Sequence, residues 1–203
     1  MFPIIPANSA AVSGNQEGIF GFGSTGTRVS TSNLVSNVGV VGTDVTGVGT
    51  AREAIAACEY GGDKGIFGFG HDGGAASMTN LVSNAGVVAT DTAGVGTARF
   101  YLAACSYGED KGIFGFGHIT GYPGTAATNK VSNAGVVATD TAGVGTARTF
   151  LGACEYGEDK GIFGSSGAVD VTNLVSNAGV VASDVAGVGT ARSALGSTQY
   201  GGD

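Results

Sequence analysis

The sequence has no tryptophan, only three prolines and only nine basic residues. Its 39 glycines follow no Gly-X-Y period, which excludes a collagen-like chain. Sixteen acidic residues give a net charge of −7, and the basic residues are scattered, which argues against partners such as nucleic acid or an anionic membrane surface. No apolar run is long enough to span a membrane, and residues 1–13 lack the basic flank of a signal peptide.

Cysteine is also scarce, and its three copies occupy the same place in a repeat. Cys58, Cys105 and Cys154 are equivalent, and Thr198 stands there in the last unit. An odd number of equivalent cysteines makes a poor disulfide framework, so we expect small buried side chains. A site built from three thiols is the alternative, but no histidine accompanies them. We therefore expect no metal and no cofactor.

One phrase of eighteen residues dominates what the sequence does contain. It reads VSNAGVVATDTAGVGTAR from Val82 to Arg99 and recurs unchanged from Val131 to Arg148. The copies that end at Arg52 and Arg192 differ from it at four and two positions. Four copies indicate an array of one supersecondary unit, which buries its apolar face only against its neighbours.

Each unit contains segments typical of short β-strands and none typical of a helix. Alternating bulky residues and glycines, as in KGIFGFG, predict one strand, and Asn-Ala-Gly predicts a tight hairpin turn. A small-residue strand such as AACEY closes the unit. Equivalent isoleucines recur after 47, 47 and 49 residues, at Ile19, Ile66, Ile113 and Ile162. Four strands per period predict an all-β, four-bladed β-propeller spanning residues 17–203.

The two ends of this array are complementary. The strand expected at Ser193 to Tyr200 lacks the partners that follow it elsewhere, and the array begins at Glu17 without a small-residue strand. We expect the N- and C-terminal strands to pair and close the ring. A β-solenoid and half of an eight-bladed ring made by two chains are the alternatives. Residues 1–16 match no part of the repeat and are expected to form an arm.

The order of these segments resembles the kelch β-propeller repeat. The resemblance extends from Glu17 to Asp203 and rests on a small-residue strand, K-x-I-F-G-x-G, N-x-V, a short hairpin and G-T-A-R. The chain departs from kelch proteins in having Gly-Phe-Gly instead of a glycine pair and in lacking their outer Tyr and Trp. The phrases KGIFGFG and GVGTAR are also similar to repeats in tailed-bacteriophage proteins. That similarity implies a virion component, such as a tail fibre or decoration protein, made in the host cytoplasm.

An aspartate and an arginine recur in the phrase of every unit. A catalytic site needs one asymmetric constellation, so this recurrence indicates a structural role. We expect charge-assisted hydrogen bonds that tie each crossing loop to a neighbouring blade. The residues are Asp44, Asp91, Asp140, Asp184, Arg52, Arg99, Arg148 and Arg192. Other acidic residues gather at the turn before each KGIF, where we expect a solvated rim, with bound Ca²⁺ as the alternative.

The variable loops after the KGIFGFG strands are the predicted binding surface, because functional contacts concentrate on loops held by a rigid scaffold. No Ser-His-Asp set or isolated carboxylate pair is evident, so we expect no enzyme. Galactose-oxidase chemistry would need clustered Tyr, His and Cys, which the repeat distributes. The candidate binding residues are Arg28, His71, Asp72, His118, Ile119, Tyr122 and Pro123.

The expected function is therefore a non-enzymatic structural or attachment module of a phage virion. It would present its loops to a host or to neighbouring virion subunits. A glycan-binding lectin that uses the same loops is the alternative. The expected partners are other virion proteins, through residues 1–16, a host-surface glycan, and further copies of the chain.

Overall fold

The computed structural model describes residues 17–121, 123–167 and 169–200. These residues form an all-β structure of four small antiparallel sheets without a helix, which confirms the all-β part of the predicted fold. The expected arm, residues 1–16, lies outside the described residues. The strands are β1 (Gly18–Ser24), β2 (Arg28–Val35), β3 (Ala56–Tyr60), β4 (Lys64–His71), β5 (Ala75–Val82), β6 (Ala103–Tyr107), β7 (Lys111–Gly115), β8 (Thr128–Val131), β9 (Ala153–Tyr156), β10 (Lys160–Phe163), β11 (Val171–Val175) and β12 (Val185–Ala186).

Each sheet is built around one KGIFGFG-type strand. The sheets are β1–β2, β3–β4–β5, β6–β7–β8 and β9–β10–β11–β12, with antiparallel pairing throughout. In the second sheet, Ile66 on the central strand lies opposite Cys58 on one side and Leu81 on the other. The small-residue strands β3, β6 and β9 form one edge of their sheets.

The recurring phrase forms the predicted hairpin turn but little regular strand. The N–H of Gly86 donates to Ser83 O at 2.9 Å, and its φ of +72° is one that glycine adopts without steric cost. Beyond the turn, only β12 forms a regular strand, whereas Thr79 and Thr92 form an isolated bridge. The prediction of four strands per unit was too regular, because the glycines of this segment weaken a strand ladder.

At the Gly-Phe-Gly corner of a central strand, the backbone bends so that an aromatic ring lies in the joint between units. The register shifts between Gly68 and Gly70, and Phe69 between them has a φ of +61°. A left-handed φ costs a phenylalanine roughly 1–2 kcal/mol. Complete burial of the Phe69 ring offsets that cost. Phe116 repeats the arrangement, with a φ of +64° and a fully buried ring.

Successive sheets pack closely because phenylalanine rings rest on glycines. A Cβ atom at Gly68 would lie 2.7 Å from Cζ of Phe114, and one at Gly115 would lie 2.6 Å from Cζ of Phe163. The ring pairs Phe69–Phe114 and Phe116–Phe163 meet edge to face with centroids 5.2 and 5.1 Å apart. The glycines of the central strands are therefore needed for the spacing of the units.

The small-residue strands lie together around one cavity. Its lining includes Cys58 of β3, Cys105 of β6, Cys154 of β9 and Thr198 near the C-terminal end of the described chain. Glu59 and Glu155 also line it. All four small-residue segments thus border a common open space.

The chain ends do not pair with each other among the described residues. There β1 pairs only with β2, which leaves its other edge open. Residues 193–200 lie against the fourth sheet instead, where Ala194 N–H donates to Phe150 O at 2.8 Å and Ser197 Oγ donates to Ala153 O at 2.7 Å. The closure expected within one chain is therefore not formed in residues 17–200.

Candidate functional site

Three predicted binding residues lie beside one aromatic cluster at the loop end of the central strands. Arg28 Nη2 donates to His71 Nδ1 at 2.8 Å, so a neutral His71 ring carries its proton on Nε2. Glu53 joins them, with Oε1 at 3.2 Å from Arg28 Nε and 3.6 Å from His71 Nδ1. His118 lies across the buried ring of Phe100, whose centroid is 5.0 Å from that of His71 and 5.4 Å from that of His118.

Two aromatic residues that sequence reasoning missed complete the cluster. Tyr101 and Phe150 stack with ring centroids 3.9 Å apart and an interplanar angle of 28°. Each residue is 37% exposed, so the stacked pair presents an apolar surface to solvent. The His118 ring meets them edge-on, with centroids 6.0 Å from Tyr101 and 5.8 Å from Phe150. We call Arg28, Glu53, His71, Phe100, Tyr101, His118 and Phe150 the aromatic face.

Tyr101 and Phe150 occupy a position that the repeat otherwise fills with alanine. Ala54 and Ala194 are the equivalents, and all four residues have a left-handed φ between +52° and +58°. Backbone hydrogen bonds link them in sequence: Tyr101 N–H to Ala54 O, Phe150 N–H to Tyr101 O, and Ala194 N–H to Phe150 O. The sequence did contain a signal for this pair. The position two residues after each recurring arginine is alanine in two units and aromatic in the other two.

The other predicted binding residues that the structure describes form hydrogen bonds within their own loops. Asp72 is exposed and closes its own turn, where it accepts a hydrogen bond from Gly74 N–H at 3.2 Å. Ile119 and Pro123 are joined by a backbone hydrogen bond of 3.1 Å from Ile119 N–H to Pro123 O. Tyr122 lies outside the described residues.

The recurring aspartates and arginines form a clasp between consecutive units. Arg52, which ends the first phrase, places Nη1 at 3.2 Å from Asp91 Oδ1 and donates through Nη2 to Asn80 Oδ1 at 2.5 Å. Asp91 and Asn80 belong to the second unit. Thr50 donates to Asp91 Oδ2 through its N–H at 2.9 Å and its hydroxyl at 2.7 Å. The threonine and asparagine were not predicted, because they meet the pair only across two units.

The second clasp repeats the first, and burial sets its electrostatics. Arg99 is fully buried and bonds to Asp140 and Asn129. Burial lowers the pKa of Arg99 to about 10, although the negative charge of Asp140 acts to raise it. Arg99 therefore remains charged at neutral pH. Burial acts to raise the pKa of Asp140, but hydrogen bonds from Thr97 and Asn129 and the charge of Arg99 hold it below its usual value. The guanidinium also lies 4.3 Å from the ring centroid of Phe69.

The third clasp is looser. Arg148 Nη1 lies 3.9 Å from Asp184 Oδ1, compared with 3.2 and 3.4 Å in the first two clasps. Arg148 Nη2 donates to Phe163 O at 3.4 Å, and the buried Oδ1 of Asn173 has no hydrogen-bond partner among the described residues. This joint therefore lacks the arginine–asparagine bond of the other two.

At each end of the array, one side of a clasp lacks its counterpart among the described residues. Asn33 Nδ2 donates to Asp44 Oδ1 at 2.8 Å, and Asp44 is exposed. Arg192 is also exposed. Within residues 17–121, 123–167 and 169–200, neither Asp44 nor Arg192 forms a salt bridge.

The cysteines and the acidic turns have neighbours that account for them. Burial, as the main cause, raises the pKa of the Cys58 thiol and raises that of Cys105 to about 12, so both remain thiols at neutral pH. At the turns, Asp63, Asp110 and Asp159 each pair with the lysine that follows at 2.5–2.6 Å. The part of the chain that the structure describes holds no group of three or more residues arranged to bind a metal ion.

Neither protein-family models nor curated proteins give a match to this chain. In the described ranges, no helix could cross a membrane. The geometry of the aromatic face is thus the main ground for assigning a function. It combines an exposed apolar ring pair with an imidazole and a nearby arginine–histidine–glutamate set, which suits a ligand with both an apolar face and polar groups.

Proposed function

We propose that the protein is a non-enzymatic attachment module whose four units are blades of a kelch-like β-propeller. The cavity shared by Cys58, Cys154 and Thr198 supports a propeller over a straight solenoid. Sheets stack about 10 Å apart, so a straight row would separate β3 from β9 by about 20 Å. Burial and then the charge of Glu59 raise the pKa of Glu155, which also favours β3 and β9 facing each other.

The exposed pair of Tyr101 and Phe150 carries the binding proposal. A left-handed φ costs a residue with a Cβ on the order of 1–2 kcal/mol, and alanine suffices at this position in the other units. Because alanine bears the same cost, this φ does not require the rings, and their partial exposure favours a role outside the fold itself. Contact with a ligand is the role that fits exposed aromatic side chains.

We place this module on a bacteriophage particle, where the aromatic face would contact the host or a neighbouring subunit. The similarity to tailed-phage repeat proteins supports this location, and residues 1–16 would attach the module to a carrier protein. Mass spectrometry of purified virions from an infected culture is the test. The chain should be present in the particles and should be lost from them when residues 2–16 are deleted. Absence of the full-length chain from virions would refute the location.

A saccharide is the second candidate ligand, because the ring pair lies beside polar side chains. The flat surface of Tyr101 and Phe150 suits the apolar face of a sugar ring, and polar side chains of the aromatic face such as His118 and Glu53 would meet its hydroxyl groups. A glycan array probed with the purified protein tests this candidate. Saturable binding to a defined set of glycans is expected. An array without a single hit at millimolar protein would eliminate it.

A further inference from the structure

One contact within the aromatic face depends on the charge state of a histidine. Arg28 Nη2 donates a hydrogen bond to His71 Nδ1 at 2.8 Å. An arginine side chain has donors only, so His71 Nδ1 must carry no proton for this bond to form. Arg28 Nε is buried without a hydrogen-bond partner among the described residues, and it meets Glu53 Oε1 at 3.2 Å as an ion pair. The bond to His71 is therefore the directional contact that orients the guanidinium.

Protonation of His71 removes this bond and replaces it with repulsion. A proton on Nδ1 takes away the acceptor and places an imidazolium beside the guanidinium of Arg28. Glu53 Oε1 lies 3.6 Å from His71 Nδ1 and is already paired with Arg28, so it then serves two cations. The formal charge of these three side chains rises from zero to +1. Histidine is the side chain that changes its charge between about pH 5 and 8, so the change falls in that range.

The other charged and titratable groups around His71 are held in contacts of their own. Asp72, the next residue, is exposed and accepts a hydrogen bond within its own turn. His118 lies across the ring of Phe100, whose centroid is 5.0 Å from that of His71 and 5.4 Å from that of His118. Backbone hydrogen bonds of 2.8 and 3.1 Å run in both directions between His71 and Glu53. These bonds keep the histidine in place whatever its charge, so the guanidinium of Arg28 is the group that moves.

The contact joins the first sheet to the second. Arg28 begins β2, and His71 ends β4. The joint between the second and third sheets has Ala75 and His118 at the equivalent positions, and alanine has no side-chain donor for such a bond. The first sheet has only two strands among the described residues, and its Phe20 is 63% exposed. The bond is thus an additional link at the sheet that has the fewest strands.

The clasp of the same joint keeps its charges over the range in which a histidine titrates. Burial acts to raise the pKa of Asp91, but hydrogen bonds and the charge of Arg52 hold it below its usual value. Asp91 therefore remains a carboxylate above about pH 4. Burial raises the pKa of Glu59, which lines the groove between the first and second sheets, so Glu59 is a second group there that responds to acid. An experiment on this joint must separate the effect of His71 from that of Glu59.

We infer that His71 is a pH-sensitive tether, which holds Arg28 and with it the first sheet when neutral and releases Arg28 when protonated. The tether lies within the aromatic face, since the ring of Phe100 contacts both His71 and Tyr101. A ligand on this face would therefore meet an ordered, formally neutral set of polar groups at neutral pH. In acid it would meet a loosened set with one positive charge. This consequence for a ligand rests on the proposed function, whereas the tether itself does not.

Nitrogen NMR of the full-length chain tests the tether without any ligand. The chain has two histidines, so the variant His118→Gln identifies the ring signals of His71. At about pH 7.5 the wild-type His71 ring should carry its proton on Nε2. As the pH is lowered to about 5.5, the Nε chemical shift of Arg28 should change with the same midpoint as the His71 ring. A proton on Nδ1 at the higher pH, or an Arg28 signal that does not follow the histidine, would overturn the inference.

Hydrogen exchange of residues 18–35 provides a second readout, corrected for the intrinsic effect of pH on exchange. Between the same two pH values, exchange in the wild type should rise roughly threefold, as for the loss of one partly exposed hydrogen bond. His71→Gln should remove this response, because its amide oxygen accepts a bond from Arg28 at either pH. Glu59→Gln is the matched control and should keep the response.

An unchanged wild type, or an equal response in His71→Gln, would overturn the inference. Loss of the response in Glu59→Gln would overturn it in favour of Glu59. None of these results bears on the proposed attachment function, which the virion and glycan experiments test separately.

Discussion

At the scale of single residues, the most informative side chains are the buried arginines. Arg52 and Arg99 are fully buried, yet each finds an aspartate, an asparagine and an aromatic ring. Burial of an unpaired guanidinium is strongly unfavourable, so these residues are stable only when the neighbouring unit is in place. The clasps therefore couple the folding of one unit to that of the next.

Substitution of these arginines should show a graded loss of stability. Arg99→Met should lower the free energy of unfolding by about 3 kcal/mol, because it leaves Asp140 and Asn129 without their buried partner. Arg148→Met should cost less, since its ion pair is longer and Asn173 Oδ1 has no partner to lose. Urea unfolding measures both, with the half-exposed Lys130→Met as control. An equal or greater loss at Arg148 would contradict the description of the third joint as looser.

The clasps also predict how stability depends on pH. Hydrogen bonds and the arginine charge hold the pKa values of Asp91 and Asp140 below their usual range, although burial opposes them. A carboxyl group whose folded pKa is lowered stabilises the fold above its unfolded pKa and loses that contribution as the pH falls. Stability should therefore fall below about pH 4.

Urea midpoints between neutral pH and strong acid measure this dependence. The variant Asp140→Asn should be less stable at neutral pH and should lose less stability on acidification, because it has one fewer depressed carboxyl group. Burial raises the pKa of Glu59 and Glu155, so these two residues act in the opposite direction. An unchanged acid slope in Asp140→Asn would show that the clasp carboxylate does not contribute.

At the scale of the structural elements, the central strands determine how closely the units approach. Their glycines leave room for the phenylalanine rings of the next sheet, and their Gly-Phe-Gly corners place other rings under the arginines. The alternation of glycine and phenylalanine thus encodes the joint between sheets as well as the strand. This accounts for the recurrence of Gly-Ile-Phe-Gly in all four units, whereas Ser165 replaces the corner phenylalanine in the fourth.

A side chain at one of these glycines should disrupt the joint. Gly68→Ala places its methyl group 2.7 Å from Cζ of the buried Phe114, so the ring or the sheet must move. Overpacking of this kind costs typically 1–3 kcal/mol. Gly74→Ala is the matched control, because a Cβ there has no atom within 4 Å. Thermal unfolding should show a lower midpoint for Gly68→Ala alone, and equal midpoints would contradict the role given to Gly68.

At the scale of the whole molecule, the repeat made part of the structure predictable. The strands of KGIFGFG, the hairpin turn at Gly86 and the all-β fold follow from local patterns in the sequence. The asparagines and threonines of the clasps do not, because they meet the arginines only across two units. Tyr101 and Phe150 were missed because the search for binding residues followed the loops after KGIFGFG, whereas this pair follows the arginine.

The residues of the molecule thus fall into two groups with different roles. Residues that recur in every unit build the joints, whereas the aromatic face contains residues that differ from unit to unit. Tyr101 and Phe150 have alanine equivalents, so the fold itself does not require their rings. A change confined to this pair should therefore separate ligand binding from stability.

The double variant Tyr101→Ala/Phe150→Ala tests this division most directly. Binding to the proposed glycan or virion ligand should fall at least tenfold relative to the wild type, while the thermal unfolding midpoint stays within a few degrees of the wild-type value. Val87→Ala, which truncates an exposed side chain at a hairpin turn, is the control and should change neither quantity. Undiminished binding by the double variant, or collapse of its fold, would contradict the assignment of the aromatic face as the binding site.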